Sequence, residues 1–89
     1  MHERALMRSV LDRVRAVAAD EGAQRVTRVT VRLGALSHFT PDHFREHFDD
    51  AARGTLAEGA DVVASVSGDL TDPYAADVVI ESVEVEVAA

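Results

Sequence analysis

Apolar residues recur at intervals of three and four from His2 to about Glu21. Leu6, Met7, Val10, Leu11, Val14, Val17 and Ala18 fall on one side, and Arg4, Arg8, Asp12 and Arg15 fall opposite. That period is helical. Gly22 is placed to end the helix in the left-handed conformation, which glycine adopts without steric cost. From Arg25 to Leu33 the period changes to two. Thr27, Val29, Val31 and Leu33 face one way, and Arg28, Thr30 and Arg32 the other, which predicts a half-buried strand. Thr40-Pro41 then marks a helix start: a capping hydroxyl, proline at the first helical position, and Asp42 favourable beside the helix dipole. This second helix is expected to run to about Arg53 and stop at Gly54. Phe44, Phe48 and Ala51 or Ala52 make its buried stripe.

Asp61–Ser67 alternates again, with Val62, Ala64 and Val66 inward. The stretch 68–76 is polar and turn-rich around Asp72-Pro73,. Asp77–Val87 reads as a last strand whose phase changes part-way. Val83, Val85 and Val87 share one face, and Val78 and Ile80 the other, so a bulge is expected near Glu81-Ser82. Glu84 and Glu86 face out on this strand, as Arg28 and Arg32 do on the first. Opposite charges on neighbouring strands stabilise by roughly 0.2–1 kcal/mol per pair, which predicts that the first and last strands are adjacent. The strand–helix–strand unit predicts a parallel pair. The expected fold is therefore α+β in two layers, with element order α-β-α-β-β. A three-stranded mixed sheet carries both helices on one face. Residues 1–89 are read as one domain.

The charge is unevenly spread. All nine basic residues are arginines at or before Arg53, where eight acids offset them. From Gly54 on there are eight acids and no base, giving a formal net charge of −7 for the chain. An acidic chain with no basic patch argues against nucleic acid as a partner. The acidic part reads either as a solvated sheet edge that discourages aggregation or as a docking face for a basic partner. No apolar run is long enough for a membrane span, and Arg4 and Arg8 interrupt the only apolar stretch near the start, so no signal peptide and a cytoplasmic location are expected.

The candidate chemistry is metal binding. The amine of Met1 and the amide nitrogen of His2 would close a five-membered ring around a small divalent ion. The same amide and the near ring nitrogen of His2 would close a six-membered one, and Glu3 adds an oxygen. Nitrogen donors in a flat arrangement suit Ni(II) or Cu(II). Met1 must be retained, which the bulky His2 favours, and its amine must be deprotonated, so binding should be pH-dependent. His38 is a further candidate ligand, in the loop after the first strand. His43 and His47, spaced i, i+4, put two imidazoles on one face of the second helix, but no third ligand follows in sequence; surface or boundary histidines are the favoured reading. There is no Gly-x-Ser-x-Gly nucleophile context and no phosphate-cradling glycine loop, so no enzyme is expected.

Several blocks resemble one family. They are Met1-His2-Glu3, Leu6-Met7-Arg8-Ser9, the stretch from Val26-Thr27-Arg28 through Leu33-Gly34-Ala35-Leu36-Ser37, Pro41, and Gly54-Thr55-Leu56-Ala57-Glu58-Gly59-Ala60. Together they are similar to the HypA/HybF nickel metallochaperones, and Ile80–Glu86 looks like that family's last strand. The resemblance covers residues 1–67 and 78–87. It implies Ni(II) bound by Met1, His2 and Glu3, delivered during maturation of nickel–iron hydrogenase or urease. It also implies a partner GTPase, a hydrogenase large subunit or urease as recipient, and homodimers. One departure is large. The family carries a zinc module with two Cys-x-x-Cys pairs before its last strand, whereas this chain has no cysteine and only the turn region 68–76 there. No structural zinc is expected. The alternative expectation is a binding or regulatory module that docks the GTPase or a full-length chaperone without delivering metal.

Overall fold

In the computed structural model, which describes residues 2–88 and the side chains of 3–88, the longest strand lies at the centre. The side chain of His2 and all of Met1 lie outside the described residues. Strand β1 (Ala23–Leu33) is flanked by β2 (Asp61–Val66) and β3 (Val78–Val87), giving the order β2-β1-β3. β2 runs parallel to β1 and β3 antiparallel. Helices α1 (His2–Asp20) and α2 (Pro41–Ala52) pack against the sheet and each other. The core they close is Met7, Val10, Leu11, Val14 and Ala18 from α1, Val26, Val29, Val31 and Leu33 from β1, and Phe44, Phe48 and Ala52 from α2. Gly22 (φ 64) and Gly54 (φ 78) end the helices in the left-handed region, as their positions predicted.

Arg28 pairs in register with Glu84, and Arg25 with Glu86, so β1 and β3 are neighbours as the charge pattern required. Arg28 reaches Glu84 at 3.3 Å on one side and Asp61 at 4.0 Å on the other. Arg32 reaches Glu81 at 3.0 Å and Asp72 at 3.8 Å. The acidic second half is thus offset in place by arginines of the central strand. These partly exposed pairs are each worth about 0–1 kcal/mol, so they select neighbours more than they stabilise.

The pairing of β1 with β3 shifts register at three places, between Ala23 and Arg25, between Val26 and Arg28, and between Thr30 and Val31, and the last two decide which side chains reach the core. On β3, Ser82 pairs with Thr30 and Ile80 with Val31, leaving Glu81 as the extra residue. Val78, Ile80, Val83 and Val85 therefore all reach the core. On β1, Val26 pairs with Val85 and Arg28 with Glu84, leaving Thr27 extra. Val26, not Thr27, is consequently buried, and the Thr27 hydroxyl donates to the Glu84 carbonyl at 3.2 Å. Val66 also departs from expectation. It sits at the far end of the edge strand β2 and is 53% exposed, while Val62 at the other end lies under α2, where Arg45 Nε donates to its carbonyl at 3.1 Å.

The turn region between β2 and β3 is docked, not free. Gly34 N donates to Asp77 O at 2.9 Å, Leu36 N donates to Ala75 O at 2.7 Å, and Ala75 is buried. Within the turn, the hydroxyl and amide of Thr71 donate to Asp69 Oδ1 and hold that carboxyl below the ordinary aspartate range. The depressed value means this contribution is present at neutral pH and is lost as pH falls through the acid range.

Candidate metal centre

The start of α2 is set by its cap. Thr40 is extended, and its hydroxyl accepts from His43 N at 3.1 Å, with Pro41 following at the first helical turn. Phe44 and Phe48 are then buried one turn apart. Residues one position earlier point about 100° away around the helix axis, which turns His43 and His47 toward its edge beside α1. Their rings stack, with centroids 4.5 Å apart and an interplanar angle of 23°. Phe39 abuts His43 edge-on at 5.6 Å. Replacing Thr40 by alanine should lower stability by about 0.5–2 kcal/mol; urea unfolding would show this as a lower midpoint at unchanged slope.

Glu3 lies in the first turn of α1 and meets both rings. Its Oε1 is 3.4 Å from His43 Nε2, and its Oε2 is 3.4 Å from His47 Nε2. One ligand atom from each of the three residues falls within 4.8 Å of the others. The side chains are 49%, 44% and 43% exposed for Glu3, His43 and His47, so an ion can reach them. A groove between the helices, walled by Arg4, Met7, Arg8 and Leu11, opens beside Glu3 and His47.

Of the residues singled out in sequence, Glu3 is at this centre. His38 is exposed, with φ 65, and does not belong to the three-residue group. Met1 and the His2 side chain lie outside the described residues. The i, i+4 histidine pair was visible in the sequence, but its third member was sought nearby along the chain. It is supplied from forty residues upstream by the packing of α1 on α2.

Residues 1–69 match the family described as hydrogenase/urease nickel incorporation, metallochaperone, HypA. The chain belongs to the HypA family. Among its relatives, the hydrogenase maturation factor HypA of Chlorobium limicola is 45% identical over 62 residues, covering 70% of this chain and 53% of that protein. HypA of Methanosarcina mazei is 33% identical over 66 residues, covering 74% of this chain and 48% of that protein. The chain spans about half the length of the curated relatives it matches. The solution structure of the Ni metallochaperone HypA from Helicobacter pylori superposes with a TM-score of 0.78 at 14% identity, covering 97% of this chain and 98% of that one. That likeness establishes a shared fold: the two-layer α+β arrangement is the HypA fold. Among the described residues, no helix is long and apolar enough to cross a membrane.

Proposed function

We propose that this HypA-family chain is a cytoplasmic nickel metallochaperone that assists nickel insertion into a nickel–iron hydrogenase or urease. Ni(II) is its cargo. The ligands are the Met1 amine, the amide and ring nitrogens of His2, and Glu3. The observation that carries this reading is the family match beginning at residue 1, over a segment in which Glu3 stands in an ordered first helical turn. A helix start favours the nearby carboxylate, and a fixed Glu3 reduces the freedom lost on closing the chelate. Residues 1–89 act as one nickel-binding unit, with the docked turn 68–76 in place of a cysteine zinc module and no structural zinc held by that region. The partners are a nickel-maturation GTPase and the hydrogenase large subunit or urease, with a homodimer as the working assembly. A docking module without metal delivery has no observation in its favour.

Titration calorimetry of untagged protein with Ni(II) tests the ligand set. His2→Ala, or one residue added ahead of Met1, should weaken binding at least tenfold, since even outer partners of metal ligands cost about 10–100-fold. Equal affinity of all three chains would refute the chelate.

A further inference from the structure

We infer that Glu3, His43 and His47 form a second divalent-metal site, distinct from the amino-terminal chelate and suited to Zn(II). Neither imidazole belongs to that chelate, so the second site stands even if the first fails. Only the sharing of Glu3 rests on the reading above.

The donor set is two imidazoles and one carboxylate, a combination that suits zinc and related borderline ions. Three donors at about 2.1 Å from a tetrahedral ion are about 3.4 Å apart. Here His43 Nε2 lies 3.4 Å from Glu3 Oε1 and His47 Nε2 lies 3.4 Å from Oε2, and one ligand atom from each residue falls within 4.8 Å of the other two, so small side-chain rotations would bring the three onto one ion. The i, i+4 spacing stacks the two rings, so both Nε2 atoms approach the same carboxylate from one side. With three protein ligands the fourth position stays open to water or to a group on another molecule, and the exposure of all three side chains leaves room for it. The competing account is a plain hydrogen-bonded contact between Glu3 and the two imidazoles, which would be indifferent to added Zn(II); titration separates the two.

An ion here would tie α1 to α2. A ligand that binds only the folded state raises stability by mass action, by an amount that grows with its concentration. The site therefore predicts a Zn(II)-dependent melting temperature even when the amino-terminal chelate is disabled.

The test uses the full chain carrying one extra residue ahead of Met1 together with His2→Ala, titrated with Zn(II) while the imidazole nitrogens are followed by long-range 1H–15N spectra. Ring-nitrogen signals of His43 and His47 should shift together and saturate at one Zn(II) per chain, with His38 unmoved. His43→Gln/His47→Gln in the same background should lose at least tenfold in affinity and the zinc-dependent rise in melting temperature, while its circular dichroism without metal matches the parent. Rings that do not shift, shifts shared equally by His38, or unchanged affinity in the double variant would each overturn the assignment. Failure here with intact Ni(II) binding by the unmodified chain would leave the amino-terminal site standing.

Discussion

Phe48→Ala should lower the melting temperature by more than about 10 °C and leave much of the chain unfolded at 37 °C. Phe48 is fully buried and stacks on Phe44 with ring centroids 6.3 Å apart. Truncating such a side chain costs about 3–5 kcal/mol through lost burial and the cavity left behind. Domains carry only about 0.05–0.15 kcal/mol of stability per residue, so a chain this short has little to spare. The helix cannot compensate. α2 is twelve residues long, below the length at which isolated helices persist in water, so its packing is what holds it. The site should fail with the helix, because the burial of Phe44 and Phe48 is what aims His43 and His47 at Glu3. Phe48→Leu keeps most of the volume and should cost much less. Thermal unfolding followed by circular dichroism reads both. Equal melting temperatures for Phe48→Ala and the parent would mean that α2 is held by something other than its aromatic stripe.

What could be read from the chain follows the range of each interaction. Local periods carried the elements: the three-and-four spacing of α1, the Thr40-Pro41 start of α2 and the glycine stops all stand where their chemistry put them. Charge carried the strand neighbours, because Arg28 against Glu84 requires only that two strands touch. The bulge at Glu81 was legible because valines and isoleucine change face there. The one at Thr27 was not: a threonine is acceptable on either face, so the alternation Thr27-Val29-Val31 concealed the phase shift that buries Val26. Val66 shows a second limit. Its alternation is correct for a strand, but alternation does not say how far a helix extends over an edge. The candidate metal centre lies beyond both limits. Glu3 and the α2 histidines meet because two helices lie side by side at one register, and no periodicity of a single helix encodes that register. His38, expected from its loop position as a further ligand of the amino-terminal chelate, is not one of the three residues grouped between the helices.

The charge asymmetry takes on a different meaning in the fold. Asp61, Asp72, Glu81 and Glu84 come from the arginine-free second half, yet all four lie within 4.0 Å of Arg28 or Arg32. The central strand therefore holds the two edge strands of opposite sense by the same means. Of the acids left over, Glu58 Oε1 accepts from Gly54 N at 2.7 Å beyond the end of α2, and Asp69 Oδ1 accepts from the amide and hydroxyl of Thr71. This favours the structural reading of the acidic half over a docking face.

Gly34→Ala should destabilise the chain while Gly68→Ala leaves it nearly unchanged, and the pair separates a steric requirement from a general effect of glycine replacement. A Cβ on Gly34 would lie 2.1 Å from the Ala75 carbonyl oxygen and 2.7 Å from that of Tyr74, both backbone atoms that no rotamer change can move aside. A Cβ on Gly68 meets nothing within 4 Å. To admit the methyl group, the segment around Tyr74–Asp77 must lift from the end of β1. The bonds from Gly34 N to Asp77 O and from Leu36 N to Ala75 O then lengthen or break. Overpacking costs about 1–3 kcal/mol, and each lost hydrogen bond about 0.5–1.5 kcal/mol more. The loss should be local first. Hydrogen exchange at the amides of residues 34 and 36 should accelerate in Gly34→Ala well before the core amides of Val29 and Val31 do. Melting temperatures that fall equally in the two variants would show that the turn 68–76 is not clamped onto β1. A fall confined to Gly34→Ala means that nine residues keep β3 seated because a bare backbone lies beneath them.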